Sequence, residues 1–459
     1  MISEAYAEVV HWRKNVFSVP FGKVGKIFVS ELARLFRAYA EGSSLESVAL
    51  KAVSVFSALS LQKPHSRSKP REHIACLSRR LDLWMDGKVT ELLFEGRSIQ
   101  QRLLQLHNNP QRAPNWVRAF TNLMFQGRTK AALRLLSDSD SNGVLQLNEL
   151  VSSNDSDLLT VREVLELKHP PAQPRSLEAS IVEEGMPPIV HPVIYDRLDA
   201  CSIRSAALHT YGAGGPSRTD AYCWRRFCTA FKQASSDLCH SLSLVTRKLC
   251  SVHVDPETLS PLLACRLIAL NKNPGVRPIG VCETARRIIA KAVLSTFHED
   301  ILEASGALQL CGGQVAGVEA AIHAIRSCFQ EESTEGVLLV DATNAFNSLN
   351  RQTALYNIQF LCPTLATLVI NCCRNFAELF VGGSMLQSAE GTTQGDLLAM
   401  PLYALATVPL IRKLSFVSPI KQVWYADDAT AAGSLIHLRL WWDALVHSWP
   451  WIRLLCQWL

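Results

Sequence analysis

Two hydrophobic periodicities divide the chain. Residues 28–39 and 44–59 carry apolar side chains every three or four positions, the spacing that lays one apolar stripe along a helix, and Gly42-Ser43-Ser44 between them supplies a turn and an N-cap. The first part of the chain, to about residue 110, therefore reads as helices. Residues 121–136 and 161–168 extend the helical pattern. The second of these ends at His169-Pro170-Pro171-Ala172-Gln173-Pro174, where prolines remove backbone donors and mark a boundary near residues 170–185. Further on the period shortens to two. Residues 266–280 alternate as strand, turn and strand with Pro274-Gly275 at the turn, and residues 371–386 suggest another hairpin, turning at Gly382-Gly383-Ser384. Residues 337–340 are an unbroken apolar run, as in a strand buried on both faces, and residues 397–410 form a long apolar helix. Residues 421–432 read as a β-hairpin in which a β-prone run stops at Asp427 and Asp428 and resumes as small and β-branched residues. The expected class is α+β: a mainly helical region over 1–180, a helical lead-in over 181–255 and a strand-containing region over 256–459.

Two aspartates fixed at a tight turn repel each other unless a cation stands between or in front of them. Mg²⁺ suits an exposed acidic turn, because it takes a few carboxylate oxygens and completes its octahedron with water and substrate phosphates. A solvated turn would carry the same dipeptide. A second strand end shifts the balance. Asp341 closes the apolar run 337–340, and Ala345, Phe346 and Leu349 then recur at helical spacing. Laid beside the hairpin, that strand end would gather three carboxylates around a metal pair, as in-line nucleotidyl transfer requires.

Asp341 with Phe346, the loop Gly391-Thr392-Thr393-Gln394-Gly395-Asp396 and Tyr425-Ala426-Asp427-Asp428 resemble, in order and separation, the three palm motifs of reverse transcriptases. The nearest flavour is that of non-LTR, LINE-like retroelements, and the resemblance covers residues 212–433. It implies right-hand polymerase fingers and palm with an antiparallel palm sheet, and an RNA-directed DNA polymerase using an RNA template, a DNA or RNA primer and dNTPs. It also implies two Mg²⁺ ions, with Mn²⁺ as a substitute, at Asp341, Asp427 and Asp428, the last tuning the site rather than bridging both ions. Residues 266–280 look like the fingers hairpin of that family, where Lys272 and Arg277 fall on the incoming-nucleotide contacts. A triphosphate needs such donors to compensate its charge, and Arg286, Arg287 and Lys291 add more on the following helix. In the middle motif, Gly395 lets backbone approach a base and Gln394 can bond the nucleotide or template, while Asp396 serves as a helix N-terminal charge. Phe346 stands where viral RNA-dependent RNA polymerases carry an aspartate that accepts the ribose 2′-hydroxyl; a phenyl ring there favours deoxynucleotides, although a core phenylalanine would read the same. Residues 211–220, leading to a helix with Trp224, Phe227 and Phe231 on one side, are similar to the loop preceding the fingers. Residues 309–323 are similar to the segment that touches template, without its usual basic residue.

Composition narrows the rest. A 48% hydrophobic content and no low-complexity tail indicate a folded chain, and the net charge of +5 is compatible with a nucleic-acid partner. The 14 cysteines include no C-x-x-C pair, and Cys223 with Cys228 lacks a histidine pair at zinc spacing. With no signal peptide and no window expected to span a membrane, the sequence reads as soluble and intracellular, nucleus or cytoplasm unresolved. No lysine follows the glycines at 212–215, which excludes a P-loop nucleotidase.

Three stretches fall outside this picture. Asp138, Asp140, Asn142, Gly143 and Glu149 satisfy the EF-hand loop pattern, but no second loop exists to pair with it, and an Asx-rich turn is the expectation. Residues 63–71, basic and proline-bounded, are a phosphate-contacting or nuclear-import loop or, as favoured here, a solvated linker. Residues 449–458 are tryptophan-rich where the family places a polar turn and strand; a frameshift at about 447–450 is suspected, since a frame one base later can, with permissible codons, spell Gly-Pro-Gly-Phe-Gly-Tyr-Phe-Ala-Asn, which resembles the family's turn. The later palm strand, primer grip and thumb are expected to be missing. The alternative function is therefore a catalytically inactive retroelement fragment that only binds nucleic acid.

Overall fold

The computed structural model describes all residues except 66–67, 108–115, 126, 128, 130–131, 134–142, 153–157, 182–184, 273–274, 308, 449–453 and 459. Its class is α+β. The helix Lys23–Ala40 turns Phe28, Leu32, Leu35, Phe36 and Tyr39 inward, the stripe its three- and four-residue spacing dictates. That stripe lies along the helix Gln233–Ser251, whose Leu238, Leu242, Val245 and Leu249 face it. The approach is close at Gly25, where a Cβ would stand 2.0 Å from the Pro20 carbonyl oxygen and 2.5 Å from the Phe231 ring. The helix Glu46–Ser60 adds Phe56, whose ring stacks 4.7 Å from Phe28. The main apolar core thus runs from Ala5 through these helices to Leu445, with smaller clusters around Val161 and Val337. The helix expected over 121–136 begins earlier, as Trp116–Phe125.

Among the described residues ten strands follow in chain order: β1 (Leu150–Ser152), β2 (Leu158–Thr160), β3 (Cys265–Asn271), β4 (Val276–Cys282), β5 (Gly336–Ala342), β6 (Ala377–Val381), β7 (Ser384–Ser388), β8 (Lys421–Tyr425), β9 (Asp428–Gly433) and β10 (Leu454–Trp458). β1 and β2 pair only with each other. One four-stranded sheet runs β4-β3-β6-β7 and joins both expected hairpins, β3 lying parallel to β6 through Cys265 and Arg266. The second hairpin is shorter than its sequence pattern, because Asn371 still belongs to the helix Pro363–Cys373. The other sheet runs β10-β5-β9-β8 and is antiparallel throughout. With helices between β5 and β8 and the helix Leu435–Ser448 between β9 and β10, it is a split β-α-β arrangement. β5 is central and carries the burial expected of an apolar run covered on both sides.

Two expectations are corrected here. The helix expected over 397–410 spans Ala399–Val417, and it is long and apolar enough to cross a membrane, contrary to the reading that no window is. Its apolar length has a use inside the protein: Leu402, Tyr403, Leu405, Val408, Ile411 and Leu414 are buried against the second sheet and neighbouring helices. A later strand, expected to be missing, is present as β10, which pairs Leu455 with Asp341 along the outer edge of β5.

Candidate active site

The register of the second sheet brings the three acids together. β5 pairs with β9 from Gly336↔Gly433 to Val340↔Ala429, so the next step sets Asp341 beside Asp428. β8 and β9 close at Tyr425↔Asp428, leaving Ala426 and Asp427 as a two-residue turn. Strand alternation then decides the face. Val340, Ala342 and Ala429 point into the core, whereas Asp341 and Asp428 are exposed on the open side of the sheet. Partial burial raises the Asp427 carboxyl above the usual aspartate range, and the charges of Asp428 and Asp341 raise it further; Lys272 pulls it back. Asp428 is raised by partial burial and then by Asp341.

The turn is held in a costly conformation. Ala426 has φ 53°, a left-handed value that L side chains disfavour. Gln309, fully buried, grips both sides of it: its Oε1 accepts from the Ala426 N–H at 3.0 Å, and its Nε2 donates to the Ala426 carbonyl at 3.1 Å and to Thr407 Oγ1 at 3.0 Å. The Leu310 N–H adds a 2.9 Å bond to the Trp424 carbonyl. Segment 309–310, read from sequence as a template contact, thus buttresses the turn. No local signal could have shown this, since it depends on pairing across more than a hundred residues.

Beneath the acids lies Tyr403. It is fully buried, its hydroxyl has no hydrogen-bond partner among the described residues, and the charges of Asp427, Asp428 and Asp341 all act on it, after burial, to push its phenol upward. Phe346, on the short helix Ala345–Ser348, packs its half-buried ring 4.6 Å from that of Tyr403. The Gly391–Asp396 loop docks on the same helix: the Thr392 N–H donates to the Phe346 carbonyl at 2.6 Å and the Gly391 N–H to that of Leu349 at 3.0 Å. Gly395, with φ 100°, has Gly280 O where a Cβ would stand, at 2.6 Å. Its close approach is thus to the β4 backbone, and the adjacent Gln394 carbonyl accepts from the Gly280 N–H at 2.7 Å. The Gln394 side chain is half-exposed.

Of the five cations expected to meet phosphate, two carry neither a salt bridge nor a side-chain hydrogen bond among the described residues. Lys272 and Arg277 are exposed at the far end of the β3–β4 hairpin. The other three are spoken for, which corrects the expectation. Arg286 is buried, donating to the Leu263 carbonyl at 3.1 Å and pairing with Asp396. Arg287 donates to the Tyr211 carbonyl at 2.8 Å and to that of Ala213, and Lys291 to that of His209 at 2.6 Å. These side chains tie the 209–213 loop to the helix Thr284–Thr296, and Asp396 serves the buried pair.

An open groove of about 820 Å³ borders the acids. The helix Gly317–Phe329 walls it with Val318, Ile322 and Phe329, the sheet floors it with Leu339 and Val423, and Tyr425 and Asp428 stand on its lining. Of the EF-hand pattern, Asp138, Asp140 and Asn142 lie outside the described residues. The rest runs beside β3, with the Leu145 N–H on the Ala269 carbonyl at 2.9 Å, and β1 follows Glu149 in place of an exit helix.

The donor set fits the implied metal by its chemistry. Asp341, Asp427 and Asp428 offer only hard oxygens on an open face, and their mutual repulsion is what a divalent cation relieves. Among the described residues no group of three or more His, Cys, Asp or Glu side chains, these three acids included, is placed to hold a metal ion by itself, so an ion here would need water and substrate oxygens for its remaining positions. Compared with known proteins, the chain matches no family model and no curated protein, so the arrangement rests on its own geometry.

Proposed function

We propose that the chain is an RNA-directed DNA polymerase domain of a retroelement, joining a deoxynucleotide to a primer 3′-hydroxyl opposite an RNA template. The observation that carries the reading is the register that sets Asp341 beside Asp428 on one exposed sheet face, next to Asp427 in a turn held in a strained conformation by Gln309. In this reading the sheet β10-β5-β9-β8 is the palm and the β3–β4 hairpin belongs to the fingers. Asp341 and Asp427 would hold two Mg²⁺ ions, which when bound lower the pKa of the 3′-hydroxyl and neutralise the departing pyrophosphate. The primer oxygen forms the new bond to the α-phosphorus, the bond from that phosphorus to the β-phosphate oxygen breaks, and the hydroxyl proton leaves to solvent.

The protein's own groups supply position and charge. Lys272 and Arg277 compensate the triphosphate, Gln394 meets the nucleotide or template, and the loop at Gly395 holds that glutamine against the fingers hairpin. Phe346, braced by Tyr403, fills the space a 2′-hydroxyl would need, so the product is DNA. Primer extension on an RNA template tests the reading: the full chain incorporates dNTPs in a Mg²⁺-dependent manner and Asp341→Asn does not. Equal incorporation by both would refute it. In that case the second reading, a retroelement fragment that binds nucleic acid without catalysis, would require salt-dependent RNA binding.

A further inference from the structure

The helix Val161–Lys168 belongs to the part of the chain upstream of the polymerase resemblance, and sequence gives it no task. Its buried face, Val161, Val164 and Leu165, packs on Leu267, Ala269 and Val276 of the β3–β4 hairpin. Its last residue is therefore carried by the same element as Lys272 and Arg277. A second tie fixes that residue from the other side: Asn344 Nδ2 donates to the Lys168 carbonyl at 2.9 Å. Asn344 lies three residues after Asp341, has φ 58°, and begins the helix that carries Phe346. The chain beyond is pinned as well, with the Ser176 N–H on Thr353 Oγ1 at 2.8 Å and the Ile181 N–H on Asn357 Oδ1 at 2.9 Å. Lys168 is thus wedged between the hairpin with Lys272 and Arg277 and the strand end with the first acid.

Its electrostatic surroundings are one-sided. The Lys168 side chain is half-buried, and burial, then Lys272, then Arg277 all act to lower its pKa. Among the described residues no carboxylate pairs with any of the three. Lys272 in turn reaches Asp427 electrostatically. Half-buried Lys168, without a carboxylate partner among the described residues, bears a repulsion from Lys272 and Arg277 that a multiply charged anion bound between them would relieve.

We propose that Lys168 is a third phosphate-binding cation, closing with Lys272 and Arg277 a pocket for the β- and γ-phosphates of a nucleoside triphosphate whose α-phosphate faces Asp341 and Asp427. The nucleotide's identity rests on the polymerase reading; the polyphosphate pocket does not. Lys168 enters from outside the motifs, so the upstream region contributes directly to substrate binding.

Calorimetric titration of the full chain with inorganic tripolyphosphate, in magnesium buffer without template or primer, tests the pocket. Lys168→Met keeps the apolar stem and removes the charge; it is expected to weaken binding about tenfold, the loss of one charge-assisted contact. Lys168→Arg is expected to stay within about threefold of the unmodified chain, and Glu166→Ala, exposed one position before Leu167 on the same helix, to match it. Unchanged affinity in Lys168→Met, or no tripolyphosphate binding by the unmodified chain at millimolar concentration, overturns the proposal. If Lys168→Met were to unfold, Lys168→Arg with the double variant Lys272→Met and Arg277→Met reads the same pocket, and unaltered binding in the double variant overturns it. Lys168-dependent binding in a chain that incorporates no nucleotide keeps the pocket and sinks the polymerase reading. Incorporation with a KM for dNTP unaffected by Lys168→Met does the reverse.

Discussion

At the scale of single residues, Asp427 ties function and stability with opposite signs. Its carboxyl is raised by burial and by Asp428 and Asp341, so the folded protein binds that proton more tightly than the unfolded chain does. Stability therefore falls as pH rises from the unfolded aspartate value, ~3.9, through the raised folded value, and the full cost persists above it. Asp427→Asn removes that cost. Without metal its Tm at pH 7 is expected to exceed that of the unmodified protein, the gain vanishing near pH ~3 where the carboxyl is protonated in both states. On the proposed polymerase function, primer extension is expected to be abolished in the same variant and added Mg²⁺ to raise Tm only in the unmodified chain. Scanning calorimetry across pH with and without Mg²⁺ checks both signs; a Tm lowered at pH 7 would contradict the repulsive site. Phe346 is a second such position. Phe346→Ala is expected to raise the ratio of ribonucleotide to deoxynucleotide kcat/KM, and to cost about 2 kcal/mol, below the range for fully buried rings because this one is half-buried against Tyr403. The ratio is independent of the folded fraction, so single-nucleotide kinetics separate the two effects.

At the scale of elements, the hairpin and its buttress act as one unit. Ala426→Gly relieves a left-handed alanine and is expected to stabilise the protein by about 1 kcal/mol, whereas Gln309→Leu leaves buried backbone groups unpaired and costs about 2–3 kcal/mol. Urea denaturation of both variants checks the pair; a Gln309→Leu protein as stable as its parent would mean that the turn holds itself. The hairpin was legible in sequence because alternation is a local property, but its turn falls one residue early, at Ala426-Asp427, with Asp428 already paired in β9. So was the role of β5, where an apolar run ending at Asp341 can only be a covered strand. The clamp was not legible, nor were the partners of Arg286, Arg287 and Lys291. A cation on a helix reads the same whether it meets solvent, phosphate or the carbonyls of residues 209–213, and only tertiary packing separates these cases. The helix Ala399–Val417 starts two residues later than expected, while Asp396 keeps its place at the N-terminal end, accepting from the Leu398 N–H at 3.3 Å, and also pairs with buried Arg286.

At the scale of the whole molecule, the prolines after His169 suggested a boundary, yet the packing crosses it in both directions. Phe28 stands 5.5 Å from Phe227, and Phe36 lies 5.9 Å from Trp224 with its ring edge-on. Lys248 Nζ reaches back to the Tyr39 carbonyl at 2.7 Å and to Glu46 at 2.6 Å, while Lys14 pairs with Asp220 at 2.8 Å. Amphipathic periodicity showed which faces of these helices are apolar but not which partner covers each, so a proline-rich segment passed for the edge of a domain. Cutting the chain near residue 180 would strip the helix Gln233–Ser251 of the stripe that covers it, uncovering Phe227, Phe231, Leu238 and Leu242 together. Each fully buried apolar side chain contributes about 1.5–3 kcal/mol, so exposing four costs roughly 6–12 kcal/mol, comparable to the whole stability of an ordinary domain, about 5–15 kcal/mol. Neither fragment, 1–180 or 181–459, is therefore expected to fold alone, and mixing them is expected to restore a cooperative unfolding transition that neither shows by itself. Thermal unfolding of the separate and combined fragments decides the matter: a cooperative transition in isolated 181–459 would mean that the region with the acids is self-sufficient and that the upstream helices only rest upon it.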